Sequence, residues 1–175
     1  GSAGVKSEKE WFLLDWNDLE ETDLKAKLDQ IPFEELGGFV FEPGGSGIGL
    51  VHFPPKFLVE EIYRRVKQTG GLVAVNEVTT GMGRTGKWFG FQHYDIQPEI
   101  VAIGKGLGNG YPVSSVAMTQ AIAESLESKG IRYAQSHQND PLGCAVAREV
   151  ITVMREKNWI EIGASKGEFF LQGLK

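Results

Sequence analysis

The chain has 175 residues, 41% of them hydrophobic, enough for one domain with its own core and too many for an intrinsically disordered chain. Its formal net charge of -5 comes from acidic and basic residues mixed along the sequence, so no basic stripe is available for a nucleic-acid backbone. A single cysteine rules out an internal disulfide, no apolar run reaches membrane-spanning length, and the composition fits a soluble, cytoplasmic protein.

The opening GSAGVKSEKE lacks the apolar stretch of a signal peptide and looks partly like an expression-tag remnant, so residues 1–15 are expected to be a tag or poorly ordered lead-in, with no function in Gly1 to Gly4. Leu19, Leu24, Leu28 and Ile31 recur near helical period among charges, which predicts an amphipathic helix over 18–31 that Pro32 ends. GGFVFEP follows as a short buried strand. In FPPKFLVEEIYRRVKQTGG the opening prolines, the apolar spacing of Leu58, Ile62 and Val66, and the closing Gly70 and Gly71 predict a helix joining two strands. LVAVNE and IVAIGK are continuous apolar runs and read as central strands. Only GLGNGY separates Lys105 from the next apolar run, PVSSVAM, too short for a parallel crossover, so that strand is expected to run antiparallel. From Asp140 onward, PLGCAVAREVITVMREK predicts a long helix in which Cys144 is a small buried residue, and NWIEIGASKGEFFLQGLK starts another. Its apolar residues Phe169, Phe170, Leu171 and Leu174 run to the end without a stop signal, so the chain is expected to be cut there.

Strand, helix, strand order predicts an α/β fold: a mostly parallel sheet with one antiparallel strand and helices on both faces. Ligands in such sheets gather at the carboxyl ends of the strands, which puts Glu42, Asn76 and Lys105 along one crevice. Lys105 lies between glycines in AIGKGLGNG, where a ligand can come close and where partial burial would lower the lysine pKa. Taken alone, such a residue is more often a solvated loop lysine. Asn76 in the same crevice changes the weighing, because pyridoxal 5'-phosphate (PLP) needs a lysine for its aldehyde and a polar partner for its pyridine nitrogen.

LVAVNEVTTGMGRTGKWFGFQHYDIQPEIVAIGKGLGNGYPVSSV closely resembles the signature region of the class III (omega-type) aminotransferases of PLP fold type I. EPGGSGIGLVHFPPKFL and SHQNDPLGCA resemble segments up- and downstream of it, so the resemblance runs from about Trp16 to the end. It implies that residues 16–175 are part of the PLP-binding large domain, truncated at both ends. It further implies Lys105 as the Schiff-base lysine and proton-transfer base, Asn76 at the pyridine nitrogen, and Val78 on the ring face. Thr79 would lie near the ring hydroxyl, Glu42 would shape the site beside Asn76, and Ser136 would reach the phosphate across a homodimer interface. The implied reaction moves an amino group between an amine or amino acid and a 2-oxo acid.

Three departures from the family pattern stand out. The family has Asp where this chain has Asn76; an amide carries no charge, so a weaker electron sink and slower transamination are expected. Gly47 stands where relatives acting on omega-amino substrates often carry an acidic residue. The family's subunits are also more than twice as long, so the chain is expected to bind PLP weakly and turn over little by itself.

Rival readings are weaker. GMGRTGK matches most of a phosphate loop, but Trp88 occupies the position that needs a magnesium-binding hydroxyl. GKGLGNG has the wrong spacing for a dinucleotide fingerprint and leads into a strand. A non-catalytic remnant or interaction module with a decayed cofactor site is the main alternative. His52 and His93 lack partners at metal-ligand spacing, His137 caps a loop or approaches the phosphate, and Arg84 is either a phosphate or substrate ligand or, the favoured reading, an ion-pair partner within its own loop. The four tryptophans read as core or interface anchors rather than cofactor stackers.

Overall fold

A computed structural model describes residues 11–16, 19–44 and 52–175. Gly47 therefore lies outside the described residues.

Helix α1 (Glu21–Leu28) buries Leu24 and Leu28, one turn apart, against the first core cluster. Acidic Glu21 and Asp23 in its first turn and Lys25 and Lys27 in its last match the helix dipole, and Lys25 pairs with Glu21. An eight-residue helix is marginal in isolation, whereas each buried leucine contributes about 2 kcal/mol, so packing rather than propensity holds it. It is shorter than the expected span 18–31. Leu19 and Ile31 still pack against the core, but from turns, and Phe33–Glu35 forms a 3-10 turn after Pro32.

Strand β1 (Gly38–Phe41) is the sheet edge and not the buried strand expected: Phe39 and Phe41 stack with ring centroids 5.1 Å apart on the core side, while Val40 is 59% exposed. Gly38 allows β1 to lie close to its neighbour, because a Cβ there would come 2.3 Å from the Leu72 carbonyl oxygen.

Helix α2 (Lys56–Gln68) follows Pro55 and buries Leu58, Val59 and Val66. It ends in a Schellman motif: Gly70, at φ +79°, donates to Lys67 O and Gly71 donates to Val66 O. The chain then enters β2 (Leu72–Asn76), whose Val73 and Val75 are buried on the helix side. Among the described residues, strands β3 (Ile100–Ile103) and β4 (Ser115–Met118) bring the sheet to four strands in the order β1-β2-β3-β4, with β3 and β4 antiparallel and the other pairs parallel. The expected α/β class and mixed sheet are both found. On the face opposite Val73 and Val75, the residues Val40, Leu72, Val116 and Met118 are exposed.

Helix α3 (Gln120–Ser128) was not anticipated from sequence. In α4 (Pro141–Glu156), Asp140 caps the first turn by accepting from Leu142 N, and Pro141 takes the position where a missing N–H costs nothing. Cys144 is exposed, contrary to expectation, because Gly143 and Met154 occupy the buried stripe of this helix. Asn158, at φ +51°, turns the chain into α5 (Trp159–Leu174), whose Ile160 joins Met154, Met82 and Leu107 in a second core cluster.

Candidate active site

The parallel strands β1, β2 and β3 end side by side, and Glu42, Asn76 and Lys105 lie at or just past those ends. Asn76 is the last residue of β2 and pairs in register with Ala102. Its orientation is fixed from two sides. The Val78 backbone N–H donates to Asn76 Oδ1 at 3.1 Å, and Asn76 Nδ2 donates to Glu42 Oε2 at 3.2 Å. A backbone N–H can only donate and a carboxylate can only accept, so a flipped amide would lose both bonds.

Glu77 points into the protein and is fully buried. Its carboxylate accepts from Thr80 Oγ1 at 2.8 Å, Gly90 N at 2.9 Å and Phe91 N at 2.7 Å. Three donors answer the desolvation cost of this charge and pin the start of the loop that follows β2. Arg84 closes the same loop: its Nη1 donates to Val78 O at 3.0 Å and Thr79 O at 2.9 Å. The ion pair expected for Arg84 within its own loop is replaced by these carbonyls, which lie nearer than any carboxylate of the loop.

Lys105 opens a short 3-10 turn after β3 in a left-handed conformation, φ +43°. Its Nζ donates to Thr79 Oγ1 at 3.2 Å, which joins the lysine loop to the loop after β2. The two loops meet closely at Gly106, where a Cβ would come 2.9 Å from Met82 Cβ and 3.3 Å from Arg84 Nη2. Val78 faces Gly104 nearby, with its methyl carbons 3.5 and 3.6 Å from a Cβ built there. Lys105 is exposed, so the partial burial expected for it is absent among the described residues.

Thus Glu42, Asn76 and Val78 form one hydrogen-bonded set and Thr79 and Lys105 another, joined by the Val78–Thr79 peptide. Ser136 joins neither: it lies exposed in the turn before α4, with its neighbour His137. His52 packs its ring on Trp16 at 4.5 Å, and His93 Nε2 lies 3.2 Å from Thr85 O. Among the described residues no cluster of three or more His, Cys, Asp or Glu is arranged to hold a metal ion.

The sequence profile of the aminotransferase class-III family matches residues 6–175. The chain belongs to this family. Among class III relatives it is 37% identical over 139 residues to human mitochondrial alanine–glyoxylate aminotransferase 2, an alignment covering 79% of this chain and 27% of that protein. It is 34% identical to a putrescine aminotransferase of Pectobacterium atrosepticum, covering 81% of this chain and 30% of the relative. The crystal structure of an S-selective transaminase from Arthrobacter sp. superposes with a TM-score of 0.77 at 30% identity, over 89% of this chain and 35% of that one. The chain therefore spans about a third or less of the length of these class III relatives.

Two features of this region were not anticipated: the donors that Glu77 gathers and the carbonyl partners of Arg84. Glu77 is a carboxylate directly after a buried strand run, a signal that was present but that does not name its donors 13 and 14 residues away. Arg84 gave no sequence signal for carbonyl binding beyond its place in a glycine-rich loop.

Proposed function

We propose that residues 16–175 are the PLP-holding part of the large domain of an aminotransferase, acting on an amino donor and a 2-oxo acid. The observation that supports it most directly is the hydrogen-bonded group at the strand ends, with the Lys105 amine on Thr79 and the Asn76 amide on Glu42. Its donor set fits the cofactor: an amine for an aldehyde, a hydroxyl for a ring hydroxyl, and an amide for a ring nitrogen. PLP, when bound, supplies an aldehyde that captures amino groups and a ring that withdraws electrons from the adjoining carbon.

This chain's residues would then divide the work. Lys105 would hold the cofactor through its amine and serve as the base that moves a proton at the substrate carbon. Thr79 orients the Lys105 amine and reaches the ring hydroxyl. Val78 would pack on the ring face and Asn76 would meet the ring nitrogen, with Glu42 holding Asn76 in place. Ser136, apart from this group within one chain, fits a role toward the phosphate of a neighbouring subunit in a homodimer. The exposed sheet face and the exposed Phe169, Phe170 and Leu174 of α5 favour burial against further protein.

The second reading, a non-catalytic remnant, draws on Asn76 in place of a carboxylate and on the exposure of Lys105. Incubation with PLP, reduction with borohydride and peptide mapping separate the two. The aminotransferase reading expects one phosphopyridoxyl group per chain on Lys105, abolished by Lys105→Ala. The remnant reading expects no preferred lysine.

A further inference from the structure

We propose that Glu42, acting through the Asn76 amide, supplies the negative charge that keeps the ring nitrogen of bound PLP protonated. This rests on the reading of Asn76 and Lys105 given above and assigns Glu42 a role as a positioning and charge-supplying residue.

An amide by itself offers no charge to a pyridine nitrogen, so any charge must come from what stands behind it. Asn76 Nδ2 donates to Glu42 Oε2 at 3.2 Å, which puts a carboxylate one amide group away from the position facing the ring. Oδ1 accepts from the Val78 N–H at 3.1 Å and keeps a second lone pair for a ring N–H. A carboxylate that accepts from one end of an amide polarises it and makes the oxygen at the other end a stronger acceptor. The amide thereby passes on part of the charge it lacks.

The surroundings of Glu42 point the same way. It is half-buried at the end of edge strand β1, and among the described residues no lysine, arginine or histidine forms an ion pair with it. The other acid beside the site, Glu77, is turned into the core and occupied by Thr80, Gly90 and Phe91, so it contributes no free carboxylate on the Asn76 side. Lys105 is held by Thr79 rather than by Glu42. A half-buried carboxylate without a cation is stabilised by a positive group arriving nearby, and a protonated pyridine is such a group.

The test is nitrogen NMR of the full chain loaded with PLP labelled with 15N in the ring, read over a pH series for the wild type, Glu42→Gln, Asn76→Asp and the double variant. The wild type is expected to show a protonated ring at neutral pH. Glu42→Gln, which preserves size and hydrogen bonding, is expected to lower the ring pKa by about one pH unit or more. With Asp at position 76, the change at Glu42 is expected to matter little. An unprotonated ring in the wild type overturns the proposal without needing any variant, and so does a ring pKa unmoved in Glu42→Gln. If no cofactor links to Lys105, the PLP reading itself fails, and this inference with it; a covalent link with an unprotonated ring sinks the inference alone.

Discussion

Lys105 Nζ donates to Thr79 Oγ1 at 3.2 Å, and this bond spans the gap between the loops that follow β3 and β2. It orients an otherwise exposed lysine toward the end of β2, where Asn76 stands.

Removing that hydroxyl is a direct probe. Thr79→Val keeps the shape and deletes a bond worth about 0.5 to 1 kcal/mol, so covalent capture of PLP by Lys105 should slow about two- to fivefold. Stopped-flow absorbance of the capture step measures it. Thr79→Ser should retain most of the wild-type rate.

Buried Glu77 makes a prediction for stability. Glu77→Gln turns an NH2 group toward donors that need an acceptor and should cost about 2 to 4 kcal/mol, read as a lower urea midpoint. Thr80→Val removes one of the three donors and should cost about 1 kcal/mol. Equal effects of the two variants would argue against Glu77 as the anchor of the loop.

Glu99 links α2 to β2. Its burial opposes ionisation, but Lys67 Nζ at 2.6 Å and the Val73 N–H at 2.8 Å outweigh that and hold its carboxyl below the usual carboxylate range. A depressed acid contributes stability that is present above its unfolded pKa and is lost as pH falls through the folded value. Denaturation midpoints should therefore drop below the ordinary carboxylate range, and Glu99→Gln should flatten that drop. Glu61 is held at about 2 by hydrogen bonds from Arg64 and then Arg65, but its first partner Arg64 is exposed and screened by solvent. Its removal should change the pH profile less than Glu99→Gln does.

Gly106 separates the lysine loop from the loop after β2. Gly106→Ala places a methyl group against Met82 and Arg84 and should weaken PLP retention about tenfold or more, in line with about 1 to 3 kcal/mol of overpacking. Gly167→Ala in α5, where a Cβ meets nothing within 4 Å, serves as the control: retention should stay unchanged, and the helix should gain up to about 1 kcal/mol. Equilibrium dialysis of both variants checks the contrast.

Much of this architecture was legible in the sequence. The apolar runs ending at Asn76 and Ile103 gave the central strands, the short GLGNGY link gave the antiparallel turn to β4, and the glycines around Lys105 marked a loop open to close approach. What escaped depended on partners distant in sequence. Glu42 was expected beside Asn76, but the hydrogen bond between them, 34 residues apart, forms only once β1 pairs with β2 and was not foreseen. Glu77 draws on backbone donors of a 3-10 turn that no periodicity announces. Cys144 was misjudged because composition shows that a helix is apolar but not which of its faces is buried. The edge position of β1 follows from sheet order, which short apolar runs do not encode.

A crystal structure of the chain with PLP tests the central claim most directly, since that claim is a shared ligand between residues 76 and 105. Continuous density from Lys105 Nζ to the cofactor, with the ring nitrogen within hydrogen-bonding distance of the Asn76 side chain, is the predicted result. PLP bound away from the carboxyl ends of β1 to β3, or held by Lys105 with its ring turned from Asn76, would contradict it.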